Sequence, residues 1–179
     1  MNANQIKSAV RNAIQAVTDD MDLDLGVGPI NESDWAYLSG GYGLLNWEMG
    51  LTTYGNDDWS FDVALKVAPG MNTLDAAILG VYKTETDTLE MHLVESFIRN
   101  PQHPLKGRVF EMMVIASYLF IAAVDGTNVR LVDVGPELTR YYRTFGFETD
   151  GQDMVQTVSG LAEQFIMIVA GTSDADNME

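Results

Sequence analysis

Between Met112 and Val124 the chain runs 13 residues without a charged side chain. A helix needs about 20 apolar residues to cross a bilayer, so this stretch is too short to span one. It reads instead as a helix buried inside a protein, and a helix that is apolar all round must be covered on most sides. That single demand constrains the architecture: something broad and apolar, a sheet face, has to lie against residues 109–124.

The flanking sequence supplies the sheet. Phe61, Val63, Leu65 and Val67 alternate with Ser60, Asp62, Ala64 and Lys66, the period of a strand, which the pair Pro69-Gly70 would end. Residues 76–83 and 89–98 read as two further strands. The polar link Thr84-Glu85-Thr86-Asp87 suggests an antiparallel hairpin between them. After the apolar helix come a strand (129–134), a helix (137–145) and two closing strands near 153–158 and 165–170. Three antiparallel strands followed by helix–strand–helix–strand is an α+β order: a mixed, mostly antiparallel sheet with one βαβ crossover. Ahead of this core, Ile6, Ala9, Val10, Ala13, Ile14 and Val17 mark one face of an extra N-terminal helix over residues 4–18. Residues 19–29 read as an acidic connector. Residues 35–59, rich in glycine and holding all three tryptophans, read as irregular with one short helix after Ser33-Asp34. The organisation expected is a segment 1–58 packed on a core 59–171, with a frayed acidic tail over 172–179.

Composition removes several kinds of chemistry. The 179 residues carry 26 acidic and 10 basic side chains, a formal charge of −16, which disfavours binding to a phosphate backbone through clustered Lys and Arg. No cysteine is present, so a disulfide framework, a thiolate zinc site and a Cys nucleophile are excluded. Two histidines, His92 and His103, are too few for a multi-histidine metal centre. Asp20, Asp22 and Asp24 have calcium-loop spacing, yet Leu25 and Asn31 stand where such a loop needs glycine and glutamate. No metal, membrane or nucleic-acid partner is therefore expected. The N-terminus has no signal-like apolar core, which points to the cytoplasm.

The stretch from Val129 to Phe147 carries a more specific signal. A strand leads into a helix that ends in Tyr142-x-x-x-Gly146-Phe147. This resembles the C-terminal half of GNAT-family (Gcn5-related) N-acetyltransferases, and the preceding element order is similar to theirs from about residue 59. The resemblance implies a GNAT-like fold, acetyl-CoA or another acyl-CoA as co-substrate, and transfer of an acyl group to an amine. It also implies a pyrophosphate loop opening the apolar helix, where free N–H groups and the helix dipole favour an anion. Here that loop is Lys106-Gly107-Arg108, followed by Val109 and Glu111 where the family carries small residues. The chain over Phe97, Ile98 and Arg99 would splay from its neighbour and pair with the pantetheine arm.

By the same resemblance Tyr142 would protonate the leaving thiolate, a phenol being a reasonable acid for a thiolate. Glu95, interrupting the apolar series Leu89, Met91, Leu93, matches a general base for the amine. Glu90 and His92 read as a solvated pair on the opposite face. The acidic surface would attract a cationic acceptor, either a small molecule or a lysine-rich protein. The alternative is a non-catalytic relative of the same fold that binds a basic partner, as a homo-oligomer or within a larger, even viral, assembly. Residues 99–143 bear on this choice, holding six of the ten basic residues and only four acidic ones.

Overall fold

A computed structural model describes residues 1–67 and 73–171. The turn at Pro69-Gly70 and the tail 172–179 lie outside the described residues. The chain opens with α1 (Ala3–Asp20), begun by a capping box in which Asn2 accepts from the Gln5 N–H while the Gln5 side chain accepts from Asn2 N–H. Ile6, Val10 and Ile14, four residues apart, are its buried face.

The sheet has seven strands: β1 (Leu25–Gly28), β2 (Ser60–Val67), β3 (Ala76–Lys83), β4 (Thr88–Ser96), β5 (Asn128–Leu131), β6 (Glu148–Asp150) and β7 (Asp153–Thr157). Their spatial order is β1-β2-β3-β4-β5-β7-β6. Every neighbouring pair is antiparallel except β4 and β5, whose parallel pairing is bridged by α4 (Val109–Ala123). This is the α+β arrangement with one βαβ crossover that the sequence implies.

Alternation along the strands builds two apolar layers. On one face Phe61, Val63, Leu65, Ile78, Leu89 and Met91 join α1, α4 and α6 (Val158–Val169) in the larger core. On the other, Ala64, Ala77 and Leu79 meet Leu38 of α2 (Glu32–Ser39) and Trp47 and Leu51 of α3 (Trp47–Tyr54). Helix α4 is buried around nearly its whole circumference between the sheet and helices α1 and α6, as its composition demands.

Several elements depart from the sequence reading. The closing strand expected at 165–170 is instead the second half of α6. Thr157 caps that helix by accepting from the Gly160 N–H, and Leu161 and Ile168, two turns apart, face the core. The acidic connector contains β1, paired with β2 from Leu25↔Val67 to Gly28↔Ala64. Its backbone is also held from α1, because Gln15 donates to Leu25 O at 2.7 Å and accepts from Val27 N–H at 2.9 Å. The aromatic segment holds two short helices, α2 and α3, with Asn31 and Asn46 as N-caps. A 3-10 turn (Pro136–Leu138) leads into α5 (Thr139–Arg143), which carries Tyr142.

Candidate active site

Two local irregularities open a cleft in the middle of the sheet. The first is a bulge in β4: Leu79 pairs with Leu93, but Gly80 pairs with Met91, which leaves His92 as an extra residue. Gly80 permits it, since a Cβ there would sit 2.7 Å from both Glu90 O and Met91 Sδ. The second is in the chain after β5. Val132 N–H still reaches Met91 O at 3.1 Å, but Asp133 then adopts a left-handed conformation (φ 54°). Its N–H donates to Asp153 Oδ1 at 2.9 Å, and Val134 N–H bonds Gln152 O at 2.8 Å. The chain after β5 is thus drawn towards the β6–β7 turn, and β4 has no β5 partner beyond Met91.

The resulting cleft encloses about 420 Å³. Residues 91–94 of β4 form one wall and residues 131–135 the other; Phe110, at the start of α4, and Tyr142 also line it, and α3 contributes Met49, Gly50 and Tyr54. The separation of strands expected over Phe97, Ile98 and Arg99 therefore begins at His92.

Tyr142 is positioned by aromatic packing. Its ring stacks on Phe110 with centroids 4.2 Å apart and planes at 13°, while Phe110 also meets Phe145 and Phe147 edge-on. Burial pushes the phenol's pKa up, and the nearby Glu137 carboxylate adds to the shift. The group is therefore a protonated donor at neutral pH.

His92 is the residue that sequence reasoning passes over. Alternation with Met91 puts His92 on the α3 side of the sheet, and the bulge puts Leu93 on that side beside it. Its imidazole stacks on Tyr54 at 3.8 Å with planes at 14°, and its side chain is only 8% exposed. Nε2 lies 3.3 Å from Glu90 Oε2. Burial lowers the imidazole pKa, a stronger influence than the opposing pull of Glu90, and Lys83 lowers it further. A neutral imidazole in the same cleft as a protonated phenol gives a base and an acid on one site. His92 and Glu90 are thus not the solvated pair they resemble in sequence. The available signal is Gly80 inside a strand pattern, which marks a bulge.

Glu95 is occupied elsewhere. Its carboxylate accepts from Leu44 N–H at 2.6 Å, Leu45 N–H at 3.1 Å and Trp47 Nε1–H at 2.9 Å. Those three donors fix the loop that leads into α3. The bulge moves Glu95 off the face shared by Leu89 and Met91, so it does not interrupt an apolar series. Glu95→Ala should lower unfolding stability by about 2–3 kcal/mol, because Trp47 is fully buried and its indole N–H would lose its partner. Urea denaturation measures this; an unchanged midpoint would show that the loop does not depend on the carboxylate.

Phe97, Ile98 and Arg99 line a separate depression with Tyr42 and Leu44, outside the cleft between β4 and β5. Phe97 N–H is taken by Asp75 O at 2.9 Å and Ile98 N–H by Ser96 Oγ at 3.3 Å. Lys106, Gly107 and Arg108 do lie together at the head of α4. Gly107 takes φ +74°, a turn that favours glycine, and Lys106 is exposed. The first hydrogen bond of the helix ladder runs from Met112 N–H to Arg108 O, so the N–H groups of Val109 and Phe110 precede it. Val109 turns its side chain into the core and does not fill the turn. Glu111 is 2% exposed, with Oε2 held by Arg108 Nε at 2.9 Å. Its negative charge is thus compensated locally, and the head of the helix keeps backbone donors and a lysine for an anion.

No protein-family model and no curated protein matches the chain. Solved structures do resemble it. One is a spermidine N-acetyltransferase from Vibrio cholerae in complex with CoA and spermine, 12% identical, with a TM-score of 0.54 over 78% of this chain and 98% of that one. Another is a spermidine/spermine N-acetyltransferase from the same organism in complex with manganese ions, 12% identical, with a TM-score of 0.57 over 79% and 96%. At such identities the likeness is one of fold, and together with the strand order and the opened β4–β5 pair it makes this chain a GNAT-like fold.

Proposed function

We propose that the chain moves an acyl group, acetyl in the simplest case, from acyl-CoA to a primary amine in the β4–β5 cleft. The carrying observation is that Tyr142 and His92 line this one cleft with complementary protonation states. The thioester would supply an activated acyl carbon, so that a C–N bond forms and the C–S bond breaks. His92 takes the proton that the amine nitrogen gives up, and Glu90 at 3.3 Å favours the imidazolium once it forms. Tyr142 gives its proton to the departing thiolate. The head of α4, with Lys106, the Gly107 turn and Arg108, would hold the pyrophosphate. The similar spermidine N-acetyltransferase bound to CoA and spermine supports an acyl-CoA donor and an amine acceptor. The charge of −16 would draw an ammonium towards the surface.

The second reading, a non-catalytic binding protein of this fold, is favoured by Glu111, whose buried carboxylate holds Arg108 Nε at 2.9 Å and so competes with a cofactor phosphate for that guanidinium. A thermal-shift measurement separates the two. Acetyl-CoA at a hundred times its dissociation constant should add about 2.7 kcal/mol of stability. No stabilisation by millimolar acetyl-CoA would remove the acyltransferase reading.

A further inference from the structure

The chain between β4 and α4 uses one turn unit twice. In Asn100-Pro101-Gln102-His103, His103 N–H donates to Asn100 O at 3.1 Å, and Asn100 Oδ1 accepts from Gln102 N–H at 3.0 Å. In His103-Pro104-Leu105-Lys106, Lys106 N–H donates to His103 O at 3.0 Å, and His103 Nδ1 accepts from Leu105 N–H at 3.0 Å. Each is a four-residue turn with proline second, and in each the first side chain accepts from the N–H two residues on. Asparagine is an ordinary choice for that first place; histidine is not. What histidine adds is a second nitrogen. Since Nδ1 accepts, the ring proton sits on Nε2. That nitrogen lies 3.2 Å from Asp75 Oδ1, and the His103 side chain is only 11% exposed.

Asp75 is itself fastened to the sheet. Its Oδ2 accepts from Val67 N–H at 2.6 Å, its N–H donates to Leu65 O at 2.9 Å, and its carbonyl accepts from Phe97 N–H at 2.9 Å. His103 thus ties the turn that runs into Gly107 to the ends of β2 and β4. Arg108 N–H, bonded to Leu105 O at 2.9 Å, carries that placement into the head of α4. The turn itself does not require the tether, since asparagine closes the first unit. We propose that His103 is a positioning residue for the cofactor. Through Asp75 it fixes where the Lys106-Gly107-Arg108 turn stands, and so sets the affinity for the CoA pyrophosphate. The proposal rests on the reading of the α4 head as the pyrophosphate site, and not on the chemistry at His92 and Tyr142.

His103→Asn separates the duties of the two nitrogens, because an asparagine oxygen can take the Leu105 N–H but is too short to reach Asp75 as well. Calorimetric titration with CoA, which binds without turnover, should give a Kd raised about five- to tenfold in this variant. Loss of folded protein would lower the number of sites titrated and not the Kd. Asp75→Asn must give Val67 N–H its oxygen and so turns an amide N–H towards Nε2; it should raise the Kd by a similar factor. The double variant should be no weaker than either single one, the mark of a shared contact. Nitrogen-15 NMR of the wild-type chain should show His103 with its proton on Nε2. A Kd unmoved in His103→Asn, additive effects in the double variant, or a proton on Nδ1 overturns the proposal. A wild-type chain that binds no CoA overturns it together with the pyrophosphate site. Acetyl-CoA assayed for thiol release with spermidine and with hexylamine reports the acyltransferase reading separately. No release, with CoA bound and the Kd effect present, would sink acyl transfer and leave the tether standing.

Discussion

Tyr142→Phe should lower kcat for acyl transfer by about 10²- to 10⁴-fold, the usual worth of a positioned proton donor, with little change in the KM for acetyl-CoA. The substitution removes one oxygen and keeps the ring. Stacking on Phe110 at 4.2 Å depends on that ring, so the local packing survives. The loss is therefore chemical. Burial, reinforced by Glu137, holds the phenol protonated well past neutral pH, and without it a thiolate must leave unassisted into a partly dry cleft. Thiol release at saturating acetyl-CoA reads kcat, and the acetyl-CoA thermal shift reads binding. A variant with wild-type turnover would remove Tyr142 from the reaction; one that loses the thermal shift as well would make it a binding residue.

Tyr142 is legible in the sequence because its setting is local. The strand, the helix and the Tyr-x-x-x-Gly-Phe end lie within twenty residues, and Phe145 and Phe147 pack with it through Phe110. Strands β2, β3 and β4 and helix α1 are legible for a related reason: their apolar periods are long enough to be unambiguous. Strand β1 is not, because Leu25-Gly-Val-Gly28 has four residues and takes its register from β2 and from Gln15 on α1. The apolar run Phe165–Ala170 cannot be told from a strand by its own period, and only its distance from the Thr157 cap assigns it to α6. The remainder of the site is hidden by one inserted residue. A bulge at His92 reverses which face every later β4 side chain occupies. It turns Glu95 from an interruption of the core into an anchor for the loop before α3, and it turns Leu93 to the α3 side beside His92. The head of α4 is legible as a motif, whereas the Arg108–Glu111 pair that neutralises its odd glutamate follows from burial that no spacing reveals.

His92→Gln should lower kcat by about 10²-fold or more, and its signature should be in the pH profile. A base must be neutral to act. Burial lowers the pKa of this imidazole below its ordinary value near 6.5, so the wild-type kcat should rise through that lowered pKa and then level. The nitrogen of the attacking amine acidifies as its lone pair is drawn into the new bond, which brings its proton within reach of so weak a base. Glutamine cannot take that proton, so the acid limb assigned to His92 should vanish along with most of the rate. Stacking on Tyr54 gives His92 a packing role too, and a fall in kcat alone would not separate the two roles. His92→Ala assayed with added imidazole does. A restored rate that follows the free-base fraction of the imidazole identifies a proton acceptor. A deficit that imidazole leaves untouched, with the acid limb still present, would make His92 a wall of the cleft and leave the amine's proton to water.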